Sequence, residues 1–267
     1  MSVYYKENAE YLRESIASIF KQTVQTNDFV LVCDGVLTDD LYSVIEFYET
    51  KHAEVFHVIK KDKNEGLGNA LNLGLKHCCN ELVARMDSDD ISRPDRCEKQ
   101  LKIFAEYNNI DVVSGTIEEF DGNRENITSR RVVPETNEQI RKFAKTRNPI
   151  NHPCVMYKAS SVLNAGGYIE LYLLEDYYLW IRMLQNGALA YNIQEPILWM
   201  RAGAELYKRR SGIKYAVSQE RLFNIMRRTG YINFNEYLKS VTLRTCSALA
   251  PNPVRQFAFN KLLRKSE

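Results

Sequence analysis

Hydrophobic and polar positions in the first 120 residues alternate in a strand–helix rhythm. Short apolar runs that end in polar residues predict buried strands, and apolar residues three or four positions apart predict the helices between them. The predicted strands are residues 2–5, 29–33, 55–59, 82–86 and 112–116, and the predicted helices are residues 8–23, 39–50, 67–78 and 96–107. This order predicts the α/β class, with a mixed, mostly parallel sheet flanked by helices.

The pattern is looser after Phe120. The elements predicted there are a polar loop at 121–134, a strand at 154–157, and helices at 159–165 and 175–186. From residue 204 onward the chain is basic and its spacing predicts helices. We therefore expect one domain with two halves and a helical C-terminal extension. The expected domain is 1–203, its halves are 1–120 and 121–203, and the extension is 204–267.

Composition narrows the class of protein. With 45% hydrophobic and 26% charged residues over 267 positions, the chain has an ordinary globular composition. No run approaches the ~18–20 apolar residues of a membrane span, and the N-terminus lacks the apolar core of a signal peptide. Six cysteines without a CxxC pair indicate free thiols in a reducing cytoplasm, and four scattered histidines disfavour a zinc site. A net charge of +2 with only a local basic excess disfavours nucleic-acid binding.

Three carboxylates directly follow the predicted strand at 82–86, in the sequence Asp87-Ser88-Asp89-Asp90. They would repel one another unless a cation or a donor-rich ligand lay among them. Because ligands of open α/β sheets bind outside the carboxyl ends of strands, we expect Asp87, Ser88 and Asp89 to face a site. Hard oxygen ligands favour Mg²⁺ or Mn²⁺. The alternative is an Asp-rich turn that caps the next helix.

Two further segments are candidates for binding a nucleotide. Asp34 ends the second predicted strand and suits a nucleobase edge or a ribose hydroxyl, although an Asx-type turn is equally compatible. The segment from Asn64 to Asn72 carries Gly66 and Gly68 before a helix, which resembles a phosphate cradle at a helix N-terminus. A loop with a close-packed helix start explains this segment equally well.

The second half contains two candidate site segments, one acidic and one basic. Glu175 and Asp176 lie at a predicted helix start, where they either cap the helix or supply a general base. Arg201 and the run Lys208-Arg209-Arg210 are either a solvated face or a grip on phosphate.

In combination these segments resemble bacterial family 2 glycosyltransferases, in particular the amylovoran AmsE-like branch that builds exopolysaccharide, capsule and O-antigen repeats. The resemblance covers essentially the whole chain. It rests on Ser2-Val3-Tyr4-Tyr5, Tyr11-Leu12-Arg13-Glu14-Ser15-Ile16, Gln22-Thr23, Asp34-Gly35, the stretch from Asn64 to Asn72, Asp87-Ser88-Asp89-Asp90 and Glu175-Asp176-Tyr177-Tyr178-Leu179-Trp180.

The resemblance implies a GT-A fold with a nucleotide-binding first half and an acceptor-binding second half. It implies that Asp89 ligates Mn²⁺ or Mg²⁺ and that Asp87 contacts ribose or the metal's water shell. It also implies that Asp176 is the catalytic base, with Glu175 helping to orient the acceptor or the sugar. Further nucleotide-sugar contacts are expected from Asp34, Asn64, Gly66, Asn69 and Ser88, and contacts to acceptor or donor sugar from His152 and Trp180. Two departures are Cys33, where many members carry an aspartate, and the lack of a histidine in 201–210. Many members use a histidine in this region to contact the diphosphate or the metal. Here Lys208, Arg209 or Arg210 are expected to supply a positive charge in its place.

The implied reaction is inverting transfer of a hexose from UDP-Glc, UDP-Gal or UDP-GlcNAc to a lipid-diphosphate-linked sugar. The alternatives are a sugar-phosphate nucleotidyltransferase and a non-catalytic nucleotide- or carbohydrate-binding module. The mixture of apolar and basic residues over 238–265 predicts peripheral attachment of a cytoplasmic protein to the inner membrane leaflet, unless those apolar residues pack on the domain.

Overall fold

The structure is a computed structural model that describes residues 1–202 and 212–249. The predicted contacts of Lys208, Arg209 and Arg210 lie outside the described residues, as does most of the basic tail.

The first sheet is parallel, as predicted. It consists of β1 (Ser2–Val3), β2 (Phe29–Cys33) and β3 (Phe56–Lys60) in the order β1-β2-β3. Two amphipathic helices, α1 (Ala9–Phe20) and α2 (Asp39–Lys51), cover it and bury their apolar stripes. All five residues of β2 are buried, which explains why this strand reads as a continuous apolar run.

The second sheet has mixed strand directions. Its strands are β4 (Leu82–Ala84), β5 (Ile91–Ser92), β6 (Val112–Phe120), β7 (Ile127–Arg131), β8 (Met156–Lys158) and β9 (Ala190–Arg201). Only the β6–β9 pair among them is parallel, and the β4–β8, β5–β9, β6–β7 and β6–β8 pairs are antiparallel. The α/β class and the mixed sheet are therefore confirmed, while the parallel character is confined to the first sheet and to β6–β9.

The prediction of a loop throughout 121–134 is wrong, because β7 forms a hairpin with β6. The strand can be polar because its arginine side chains form ion pairs with glutamate side chains of β6 across the hairpin. Arg130 donates to Glu118 at 3.1 Å and Arg131 donates to Glu119 at 3.0 Å. These cross-strand ion pairs replace the apolar alternation by which a strand is usually recognised.

The remaining helices pack against the two sheets and against one another, and most of them contribute residues to the main core. They are α3 (Leu67–His77), α4 (Arg96–Glu106), α5 (Asn137–Phe143), a 3₁₀ turn (His152–Cys154), α6 (Ala159–Asn164), α7 (Glu175–Gln185), α8 (Ile213–Arg228) and α9 (Phe234–Leu249). Six residues of α7 are buried, and Tyr177 of α7 meets Phe223 of α8 edge-to-face with ring centroids 6.4 Å apart. The described part of the extension thus shares a core with the domain.

Candidate active site

The acidic segment after β4 is a compact carboxylate cluster. Oxygens of Asp87, Asp89 and Asp90 all lie within 4.8 Å of one another. Burial, followed by the charges of Asp87 and Glu7, raises the pKa of Asp89 to about 7. Burial and then the neighbouring charge of Asp89 also raise the pKa of Asp90 well above its ordinary range. Carboxylates this close and this poorly solvated fit a hard divalent cation, whose charge would favour their ionised forms.

Asp87 differs from its neighbours because a buried arginine holds it. Arg85, which is 3% exposed, donates from one terminal nitrogen to Asp87 Oδ2 at 2.7 Å and forms an ion pair with Oδ1 through the other. Among the described residues, neither Asp89 nor Asp90 forms an ion pair of this kind. Sequence reasoning missed Arg85, although an arginine inside an apolar run, two residues before a carboxylate on the same strand face, is a signal for it.

Arg201 anchors the other side of the cluster. Its backbone N–H donates to Asp90 Oδ1 at 3.0 Å, and its Nε donates to the backbone carbonyl of Asp89 at 2.8 Å. The guanidinium forms an ion pair with Glu14 and lies 3.9 Å from the ring centroid of Tyr11. Arg201 therefore fixes the acidic segment against α1 and is not part of a solvated face.

Asp34 lies at the end of β2, where the sequence placed it, but its carboxylate organises the glycine segment. Its Oδ1 accepts from Lys61 Nζ at 2.9 Å and from the Glu65 N–H at 3.0 Å, and its Oδ2 accepts from the Gly66 N–H at 3.0 Å. Gly66 has a φ of +90°, a conformation that glycine adopts without strain. Asp34 therefore already holds the backbone at the start of α3, and any contact that it makes with a nucleotide would be additional to these hydrogen bonds.

The polar residues of the glycine segment lie at its surface. Asn64 and Asn69 are both exposed, and Asn69 Nδ2 donates to the Glu65 carbonyl at 2.9 Å. Ser88, in the acidic segment, is buried and donates to Glu7 Oε2 at 2.7 Å. Glu7 precedes α1 and was missed by sequence reasoning.

Asp176 lies in the first turn of α7 and is partly buried. Its Oδ2 accepts from Asn148 Nδ2 at 2.7 Å, and its Oδ1 accepts from the Tyr177 N–H at 2.7 Å. The second bond satisfies an N–H group in the first turn of α7, which is compatible with the capping alternative. The first bond comes from a residue 28 positions earlier and fixes the orientation of the carboxylate. Asn148 was not among the sequence candidates.

His152 and Trp180 are interior residues, and the prediction that they contact a sugar needs correction. Trp180 is 0% exposed and lies in the main core, 5.9 Å from the His152 ring. His152 is also buried, and its Nε2 is hydrogen-bonded to the Tyr168 hydroxyl at 2.9 Å. Burial, with a further contribution from Arg85, lowers the pKa of His152 well below its ordinary value. Both residues therefore pack in the protein interior and are not placed to contact a sugar.

Comparison with known proteins identifies the class and then the family. The mannosyltransferase PcManGT from Pyrobaculum calidifontis, solved with GDP-Man and Mn²⁺, superposes with a TM-score of 0.63 at 14% identity, covering 97% of this chain and 80% of that one. The shared architecture is the GT-A fold. The sequence profile of glycosyl transferase family 2 matches residues 2–163. The chain belongs to this family and is a glycosyltransferase.

Two curated relatives match nearly the whole chain. The UDP-Gal:α-D-GlcNAc-diphosphoundecaprenol β-1,3-galactosyltransferase of Escherichia coli is 36% identical over 265 residues, which cover 99% of this chain and 95% of the relative. The amylovoran biosynthesis glycosyltransferase AmsE of Erwinia amylovora is 34% identical over 266 residues, which cover 98% of this chain and 97% of the relative. The expected resemblance to the AmsE-like branch is confirmed, and family membership favours a transferase over a nucleotidyltransferase.

Proposed function

We propose that the protein is an inverting hexosyltransferase that uses a UDP-sugar and extends a sugar carried on a lipid diphosphate during assembly of a bacterial surface polysaccharide. The E. coli relative, which is 36% identical, is named for UDP-Gal and for a GlcNAc-diphosphoundecaprenol acceptor. The observation that carries the proposal is the carboxylate cluster of Asp87, Asp89 and Asp90 at the end of β4 in a chain of this family.

The residues present fit a Mn²⁺ or Mg²⁺ ion. Asp89 would hold it, with Asp90 and Asp87 in reach, because their oxygens converge and burial disfavours leaving them charged without a cation. When bound, such an ion would neutralise charge that develops on the diphosphate of the leaving group. PcManGT was solved with Mn²⁺, which supports the same type of ion here.

Nucleotide binding is assigned to the first half of the chain, 1–120. Asp34 would fix the glycine segment beside the nucleotide, and Asn64, Gly66 and Asn69 would line that segment. Asp87, oriented by Arg85, would face the ribose, with Ser88 beside it. We assign the charge that meets the diphosphate to Lys208, Arg209 or Arg210, on sequence grounds alone.

Asp176 would act as the general base on the acceptor side, residues 121–203. In the transfer step, an acceptor hydroxyl gives its proton to Asp176 while its oxygen attacks the anomeric carbon of the sugar. The bond between that carbon and the diphosphate oxygen breaks, and the electron pair leaves with UDP. Asn148 holds the carboxylate in one orientation for this transfer, and Glu175 would orient the acceptor or the sugar.

A lipid-linked acceptor would place the enzyme at the inner face of the cytoplasmic membrane, as a peripheral protein. Across residues 1–202 and 212–249, no helix combines the length and the apolar character needed to cross a bilayer.

A donor screen tests the function directly. Purified protein is incubated with UDP-Gal, UDP-Glc or UDP-GlcNAc, Mn²⁺, and a GlcNAc-diphosphate-lipid acceptor, and products are identified by mass spectrometry. We expect one hexose to be added with one of the donors, and no product in the presence of a chelator. A protein that binds UDP tightly but neither transfers nor hydrolyses any of these donors would instead be a binding module.

A further inference from the structure

The α8–α9 hairpin presents large apolar side chains to its surroundings. Ile213 and Val217 of α8 are 74% and 59% exposed, and Phe234 and Leu238 of α9 are 61% and 54% exposed. Each pair is separated by four positions and therefore lies on one stripe of its helix. The opposite sides of these helices are buried in the main core through residues such as Phe223. We call the exposed residues of these two helices together the hairpin face.

The fully exposed charged residues of α8 and α9 within residues 212–245 are all basic. Lys214, Arg221, Arg228 and Lys239 are exposed on the same two helices. The two acidic residues within 212–245 are only partly exposed, and both are hydrogen-bonded. Glu220 accepts from the Tyr237 hydroxyl at 2.9 Å, and Glu236 accepts from the Asn233 N–H and from Lys145 at 2.9 Å. The surface thus combines apolar side chains with uncompensated positive charge.

Charge complementarity indicates which partner fits this surface. Residues 250–267 carry four basic residues and one acidic residue, so that segment would be repelled by the hairpin face. A second copy of this chain would bring the same positive surface to a symmetric interface and be repelled as well. A surface that is negatively charged at its headgroups and apolar beneath them satisfies both features. We propose that the hairpin face docks on an anionic lipid leaflet.

The hairpin face is connected to the general base of the proposed function, on which this inference rests. Ser218 of α8 donates to the Tyr172 carbonyl at 2.8 Å, and the Lys214 ammonium lies 4.0 Å from the centroid of the Tyr172 ring. Tyr172 is exposed and lies four residues before Asp176. Docking through α8 would therefore bring the lipid surface near the segment that leads to Asp176, where a lipid-diphosphate-linked sugar must arrive.

Vesicle flotation of the full chain tests the proposal. Vesicles of phosphatidylcholine alone are compared with vesicles that also contain phosphatidylglycerol, at low and high salt. We expect the wild-type protein to float with the anionic vesicles at low salt. The double variants Val217→Glu/Leu238→Glu and Arg221→Glu/Lys239→Glu should each lower partitioning about 10-fold or more. Val36→Glu and Leu163→Glu are matched controls, because Val36 and Leu163 are 70% and 52% exposed elsewhere on the protein; both should float like wild type.

A second measurement separates this proposal from the proposed function. Transfer is assayed with acceptor in anionic vesicles and with a short-chain, water-soluble acceptor. We expect the hairpin variants to lose transfer to the vesicle acceptor and to retain transfer to the soluble one. Wild-type levels of flotation in both hairpin variants, or no flotation of the wild type, would overturn the lipid contact. Intact flotation without transfer to either acceptor would support the lipid contact and contradict the proposed function.

Discussion

Asn72 and Tyr168 are joined by a reciprocal pair of hydrogen bonds. Asn72 Nδ2 donates to the Tyr168 carbonyl at 2.7 Å, and the Tyr168 N–H donates to Asn72 Oδ1 at 2.7 Å. Asn72 lies on α3, which begins at the glycine segment held by Asp34, and the Tyr168 hydroxyl is bonded to His152. The two bonds therefore connect the proposed nucleotide side of the site with the segment that leads to Asp176.

A methyl group at Gly167 should break this connection. A Cβ at this position would lie 2.6 Å from Asn72 Oδ1, and Gly167 has a φ of +65°. We expect Gly167→Ala to lower the free energy of unfolding by the ~1–2 kcal/mol of left-handed strain plus about 1 kcal/mol or more for the disturbed hydrogen bonds.

Gly122→Ala is the matched control for this variant. Gly122 has a φ of +67° with nothing within 4 Å of a Cβ, so only the strain should remain. Urea denaturation measures both variants. Equal losses in the two would show that the Asn72–Tyr168 contact contributes nothing to stability.

The metal assignment predicts different effects at two neighbouring aspartates. Asp89→Asn should abolish measurable Mn²⁺ binding in calorimetry. Asp87→Asn should weaken it by only about 10- to 100-fold, as expected for a group beside the ligands, because Arg85 already engages both Asp87 oxygens. Asp121→Asn, at an exposed position, controls for the change in net charge. Loss of Mn²⁺ binding in Asp87→Asn equal to that in Asp89→Asn would contradict the division of roles.

The assignment of the base predicts a selective loss of turnover. Asp176→Asn should lower kcat at least ~10²-fold, the scale of a lost general base, with little change in UDP affinity. The variant still accepts a hydrogen bond at the start of α7, so helix capping is largely preserved. If UDP affinity fell strongly while kcat changed little, Asp176 would be a structural cap.

The buried histidine predicts a pH dependence of stability. Because the pKa of His152 is lowered by burial, the unfolded chain binds a proton as pH falls through about 6.5, whereas the folded protein does not. His152 therefore contributes a decrease in the free energy of unfolding as pH falls below about 6.5, until the pKa of its folded state is reached. The raised pKa values of Asp89 and Asp90 contribute with the opposite sign, so the comparison of wild type with His152→Gln isolates the contribution of His152. His152→Gln should reduce this decrease, and His77→Gln, at an exposed position, should leave it unchanged. Identical pH profiles for all three proteins would rule out the contribution of His152.

Local patterns were sufficient for most elements of the first half, but not for β5, a two-residue strand that pairs with β9. The apolar run of β2 and the apolar stripes of α1 and α2 are the residues that the fold buries. Their spacing in the sequence is therefore enough to predict these elements. The strand β7 was missed because charged residues that pair with β6 take the place of the alternating apolar residues by which a strand is recognised. The element boundaries differed from the prediction by a few residues, most clearly in β6, which runs on to Phe120.

The candidate site was predictable where carboxylates cluster in sequence, as at Asp87 and Asp89. It was not predictable where the partner is distant in the chain. Asn72 and Tyr168 are 96 positions apart, and Asn148 and Asp176 are 28 apart. Trp180 was misassigned because its position beside two acidic residues in the sequence says nothing about which side of α7 faces the core.

The stereochemistry of the product tests the central claim most directly. If Asp176 activates an acceptor hydroxyl for a single displacement, an α-linked UDP-hexose must give a β-glycoside. The product formed from the lipid-diphosphate-linked acceptor can be released and its anomeric proton coupling read by NMR. We predict a β linkage from the wild-type protein and about 10²-fold less of the same product from Asp176→Asn. An α linkage would contradict the proposed mechanism.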